Sequence, residues 1–110
     1  MLWHKEVMNV TVTGGTGAGV TGRLYGRVEH MLITPIDTAG VLVSATSWDC
    51  TVIDRDGDQV DTFLTQTGRL DDRTYLPIGQ DSSERLRFTF TNVTQTPDRM
   101  RVVLKVRDKT

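Results

Sequence analysis

The stretch Glu84-Arg85-Leu86-Arg87-Phe88-Thr89-Phe90-Thr91-Asn92-Val93 alternates apolar and polar residues almost without a break. A period of two puts Leu86, Phe88 and Phe90 on one side of an extended strand, and Arg85, Arg87 and Thr89 on the other. Met100-Arg101-Val102-Val103-Leu104-Lys105-Val106-Arg107 nearly repeats the pattern. Strands with one dry and one wet face belong to antiparallel sheets that cover a core on one side only.

Working outward from these two strands, similar signals recur. Val7 to Thr13 alternates and is rich in β-branched residues, which predicts a first strand with Met8, Val10 and Val12 on one face. Gly14 to Gly19 interrupts regular structure and predicts a loop. Arg23 to Thr34 reads as a strand with Leu24, Val28 and Leu32 together, a grouping helical spacing also gives, although the flanking glycines and Pro35 favour extended chain; Gly26 marks a bulge or close backbone approach. A turn over Pro35 to Gly40 leads into extended chain from Val41, continued by Trp48, Cys50 and Val52 on one face. Asp54-Arg55-Asp56-Gly57-Asp58 is a hairpin connection, because Asp-Gly favours the positive φ of tight hairpin turns. Val60 to Gln66 returns as its partner. Gly68 to Asp72 and Pro77 to Ser83 read as polar loops around Tyr75-Leu76, and Pro97 punctuates the link between the last two strands. Six to eight short strands with frequent turns predict an all-β chain, a single antiparallel β-sandwich that is jelly-roll-like.

The totals agree with one domain over residues 1–110. Hydrophobic content of 37% and aromatic content of 6% suit a thin sandwich, or a chain that completes its burial against a partner. A net charge of −1, with both signs mixed along the chain, gives no sign of nucleic acid binding. Cys50 is the only cysteine, so no disulfide forms within the chain, and a small buried hydrophobe is its expected role. Met1 is followed by Leu2-Trp3-His4-Lys5-Glu6 without an apolar core, and no stretch is long enough to span a bilayer. No membrane association is expected.

Three groups of residues invite a chemical reading. Asn9 to Leu24 runs from a strand into glycines, and Gly17, Gly19 and Gly22 satisfy the G-x-G-x-x-G spacing of a dinucleotide-binding turn. Its start, Thr13-Gly14-Gly15-Thr16-Gly17, resembles extended short-chain dehydrogenases, but Val20 stands at the next required glycine. No helix signal follows and no Tyr-x-x-x-Lys pair exists, so a glycine-rich loop over residues 14–22 is expected and no cofactor. Asp54, Asp56 and Asp58 have alternate spacing that can converge on Ca²⁺, but the EF-hand glycine and terminal glutamate are missing, which favours a solvated turn. His4, His30 and Cys50 lack any metal-ligand spacing, and Asp71-Asp72 lies in polar chain. No catalytic residue and no metal site are assigned.

The remaining candidates concern partner contacts. Arg85, Arg87, Arg101, Lys105 and Arg107 point away from the dry face and would form one basic stripe if their strands were adjacent, either facing an acidic partner or serving as a solvated sheet face with edge-protecting charges. Leu2 and Trp3 form an apolar pair at the chain start that has to pack either on its own domain or on a neighbouring subunit, which makes residues 1–6 a candidate docking arm.

The stretch from Trp48 to Arg107 resembles small β-sandwich structural proteins of tailed bacteriophage virions, most like the head decoration or cement class. It carries a strand, an Asp-Gly hairpin, a returning strand, Thr67-Gly68-Arg69-Leu70, a Leu-Pro loop and two terminal strands before a short charged tail. The resemblance implies a non-enzymatic protein that docks on a capsid, bridges major capsid subunits and is a homo-oligomer on the lattice. Its place would be the virion, and the host cytoplasm during assembly. A neck, tail or fibre-base component is the alternative within that class. A Ca²⁺-dependent surface- or carbohydrate-binding sandwich is the alternative outside it.

Overall fold

The computed structural model describes residues 3–54, 56–73, 76–78, 85–95 and 97–107. Among them run β1 (Trp3–Thr11), β2 (Gly17–Val20), β3 (Gly26–Ile36), β4 (Ser47–Ile53), β5 (Gln59–Thr67), β6 (Leu70–Asp72), β7 (Leu76–Ile78), β8 (Arg87–Thr91) and β9 (Arg99–Arg107). Every pairing is antiparallel. One sheet has the order β1-β9-β3-β6, with β7 beside β6 on the same edge of β3, and the other has the order β2-β8-β4-β5. Reading β6 and β7 as one interrupted strand, this is the order of a jelly roll, in which the chain crosses repeatedly between two four-stranded layers.

The inward residues are those that the alternation selects. Val10, Val28, Met31, Ile33, Met100, Val102, Leu104 and Val106 come from the first sheet, and Trp48, Cys50, Val52, Phe88 and Phe90 from the second. Trp48 and Phe90 meet edge to face at 5.8 Å. The Trp48 indole N–H donates to the Gly68 carbonyl at 2.8 Å, so the largest core side chain keeps its polar atom satisfied.

The boundaries differ from the sequence reading in instructive places. β1 begins at Trp3, so residues 3–6 are paired with Leu104 to Arg107 and do not form an arm. Gly17–Val20 is a strand, not part of a loop, and it packs across β1. A Cβ on Gly17 would lie 2.5 Å from the Thr11 carbonyl oxygen, and one on Gly19 would lie 2.9 Å from Met8 Sδ and Val10 Cγ2. Glycine is therefore a packing requirement where the two sheets close on each other. The β3 bulge falls between Val28 and His30, not at Gly26, and shifts the inward set to Met31 and Ile33, leaving Leu32 half-buried on the outer side. Pro35 and Ile36 still belong to β3, and the turn follows them. Leu70–Asp72 and Leu76–Ile78 are short strands rather than loop, paired to β3.

Both ends of the sandwich are tied by backbone hydrogen bonds. At one end Val12 N–H donates to Asp98 O, Val93 N–H to Gly15 O, Thr94 N–H to Ser47 O and Gly68 N–H to Thr46 O. At the other, Thr21 and Leu86 bond reciprocally, through Thr21 N–H to Leu86 O and Leu86 N–H to Thr21 Oγ1. These ties join neighbouring segments at both ends of the two sheets. Among the described residues no helix is long and apolar enough to cross a membrane.

Candidate functional site

The residues expected to form one basic stripe are divided between two surfaces. β8 and β9 lie in opposite sheets, so Arg85 and Arg87 belong to one side of the sandwich, and Arg101, Lys105 and Arg107 to the other. The reason is topological: in a jelly roll, the last connection crosses from one layer to the other. Arg87 sits in register with Val20 on β2 and Ile53 on β4. Arg85 donates to the Thr21 carbonyl at 3.3 Å. Leu2 lies outside the described residues; Trp3 is described and half-exposed, at 51%.

On the first sheet, register assembles the outer face into rows. Trp3, Arg107 and Arg27 form the first, Lys5, Lys105 and His30 the second, Val7, Val103 and Leu32 the third, and Asn9, Arg101 and Thr34 the fourth. The Arg107 guanidinium carbon lies 4.4 Å from the centre of the Trp3 ring, a cation–π contact that fixes both side chains. Arg107 Nε also approaches Glu29 at 3.2 Å, and Arg27 Nε approaches the same carboxylate at 3.5 Å. His30 Nε2 bonds Asp71, and that contact, with the desolvation it works against, leaves the Asp71 carboxyl below the usual range. Neither Lys5 nor Lys105 pairs with a described carboxylate, although they face each other directly across β1 and β9. Like charges in that position are destabilising. An open basin of about 550 Å³ lies over this end of the face, lined by Trp3, Lys5, Glu29, His30, Lys105 and Arg107 among others.

The sequence reading does not single out His30 as a partner contact, and it covers Lys5 only as part of residues 1–6. Neither has a local sequence signal; only the pairing of β1 and β3 on either side of β9 brings them beside Lys105.

The other candidates resolve differently. Asp54 Oδ1 accepts the N–H groups of Asp56 at 2.9 Å and Asp58 at 3.0 Å, while Gly57 has φ of 86°. That is an Asx-type hairpin turn whose first carboxylate is used by its own backbone. Among the described residues no group of three or more His, Cys, Asp or Glu side chains is placed to hold a metal ion. Cys50 is buried, and desolvation, helped by the nearby Asp61 charge, pushes its thiol up to about 12. A thiol held protonated in this way is a packing group rather than a nucleophile. The glycines of the G-x-G-x-x-G spacing lead into β2 and β3, with no helix N-terminus to receive a phosphate.

No protein-family model, no curated protein and no solved structure matches the chain.

Proposed function

We propose that the chain is a non-enzymatic structural protein of a bacteriophage virion, a decoration or cement protein that bridges neighbouring capsid subunits. The observation that carries this reading is the placement of exposed cations on both broad faces of one sandwich. Lys5, Arg101 and Lys105 serve one face, and Arg85 and Arg87 the other. A domain with two such faces can hold two acidic partners at once, which one continuous stripe could not do. Its resemblance to the head decoration class supplies the identity of the partner, the major capsid protein. Repetition over a lattice turns contacts of modest area into substantial particle stability. Homo-oligomers of the chain at the points of attachment belong to the same reading.

The test uses particles assembled with and without the chain. Particles lacking it should release DNA at a lower temperature or a milder osmotic shock. In complementation, Arg85→Glu/Arg87→Glu and Arg101→Glu/Lys105→Glu should each fail to restore robustness, because each blocks one side of the bridge. Equal robustness without the chain would overturn the decoration role, and recovery by either double variant would overturn bridging. A chain found only in purified tails or necks would move it to the alternative virion position.

A further inference from the structure

We infer that the outer face of β1, β9 and β3 receives an extended acidic peptide segment of the partner, in which an apolar residue stands between two acidic ones at alternate positions. This rests on the docking role proposed above and names what that face recognises.

The argument comes from the order and spacing of the rows. Along the strands the face reads cation and aromatic, then cation, then apolar, then cation. The second row presents Lys5 and Lys105, the third Val7, Val103 and Leu32, and the fourth Arg101. Rows on one face of a sheet are two residues apart, about 6.5–7 Å. An extended chain repeats its own same-side residues at that distance, so a segment lying along the strands stays in step with the rows. A carboxylate over Lys5 and Lys105 relieves the repulsion between two ammonium groups that have no described carboxylate of their own. Two residues on, an apolar side chain covers Val7, which is 42% exposed, and the next carboxylate reaches Arg101. Among the described residues, Glu29 is engaged by Arg27 and Arg107, and Asp71 by His30, so these two carboxylates of the same face are already occupied. The basin beside Trp3 leaves room for the segment to continue past the second row.

The third row distinguishes this occupant from other polyanions. A nucleic acid backbone brings charge at every step, yet the third row offers it only hydrocarbon. A free anion would use Lys5 and Lys105 and ignore Val7 and Val103.

The experiment titrates the folded full chain with a capped peptide of sequence Glu-Thr-Val-Thr-Glu-Thr-Glu, following backbone amide shifts by NMR. Controls are a peptide of the same composition in the order Glu-Glu-Glu-Thr-Thr-Thr-Val, inorganic phosphate and a ten-nucleotide oligothymidylate. The patterned peptide should shift the amides of Lys5, Val7, Val103 and Lys105 and bind at least tenfold tighter than the rearranged one. Lys5→Glu/Lys105→Glu should abolish that binding, and Val7→Asp should weaken it severalfold, with both variants keeping the native spectrum elsewhere. Equal binding of the two peptides, tighter binding of the oligonucleotide, or no shift on this face would each overturn the inference. Occupancy of Lys5→Glu/Lys105→Glu on particles separates the two proposals. Lost occupancy without peptide binding leaves docking standing and removes the segment; peptide binding with unaltered occupancy does the reverse.

Discussion

Asp49 shows how one half-buried side chain can hold an unusual backbone on both its flanks. It lies on β4, and its Oδ1 accepts the N–H of Thr65 at 2.7 Å while its Oδ2 accepts the Asn92 side-chain amide at 2.8 Å. Thr65 and Asn92 have φ of 56° and 54°, in the left-handed region that a β-branched threonine rarely adopts. The Thr65 amide, and after it the Asn92 amide, hold the Asp49 carboxyl below its ordinary value. A depressed carboxyl adds stability above its unfolded-state pKa, near 3.9, and that stability is lost as pH falls through the folded value. Asp49→Ala should therefore lower the melting temperature at pH 7, and by progressively less as the pH is taken below about 3.9. Thr65→Gly removes the unfavourable φ, so the Asp49→Ala loss should shrink in that background. Thermal melts of the four proteins in the cycle, at pH 7 and pH 3, measure this. Purely additive losses at pH 7 would show that Asp49 does not restrain Thr65.

At the scale of elements, β2 and β3 show where local pattern and packing part. β2 is built from Gly-Ala-Gly-Val, among the least strand-like segments in the chain, because the inward positions have no room for a Cβ. Gly17→Ala must push against the backbone of Thr11, and overpacking of this kind typically costs about 1–3 kcal/mol. Chemical denaturation should show that loss, whereas Ala18→Ser, on the outer side of the same strand, should leave the midpoint nearly unchanged. Comparable midpoints for Gly17→Ala and the parent would mean that the two sheets can separate locally without penalty. In β3 the bulge after Val28 exchanges which side chains face inward. A helical or strictly alternating reading groups Val28 with Leu32, whereas the bulged strand groups it with Met31 and Ile33. That change of phase also puts His30 in the row of Lys5 and Lys105.

The whole molecule is a slab of 41 × 26 × 19 Å. Its edges are unequal. β1 and β2 close one side through their tight crossing, while β5 and β6 bring Asp61 and Asp72 together at the other. Partial burial, followed by the Asp61 charge, raises the Asp72 carboxyl. For a raised acid the folded state holds its proton longer than the unfolded chain, so stability falls as pH climbs from the ordinary carboxylate value through the folded one. Asp72→Asn should therefore stabilise the domain at neutral pH, by only a few tenths of a kcal/mol since the group is mostly solvated. The gain should vanish below about pH 3.9. Urea midpoints at pH 7 and pH 3 check this, and a loss of stability at pH 7 would show that the charged form is favoured at this edge.

The amino-acid pattern alone establishes the fold class, because period two in Leu86, Phe88, Phe90 and in Met100, Val102, Leu104, Val106 already divides inside from outside. It also determined the Asp-Gly hairpin, whose turn chemistry is local, and the buried character of Cys50. Which strands are neighbours follows only from the closed fold. Alternation states that a residue faces outward but not on which sheet, so Arg87 and Lys105 looked alike in sequence and lie on opposite sides of the molecule. Lys5, His30 and Lys105 become one row through long-range backbone pairing, and no spacing along the chain encodes a contact between residues so far apart in it. The glycines were legible as special positions, but their purpose required knowing that β1 crosses them. Side-chain pattern is a local property, whereas sheet membership and register are set by the closure of the whole core.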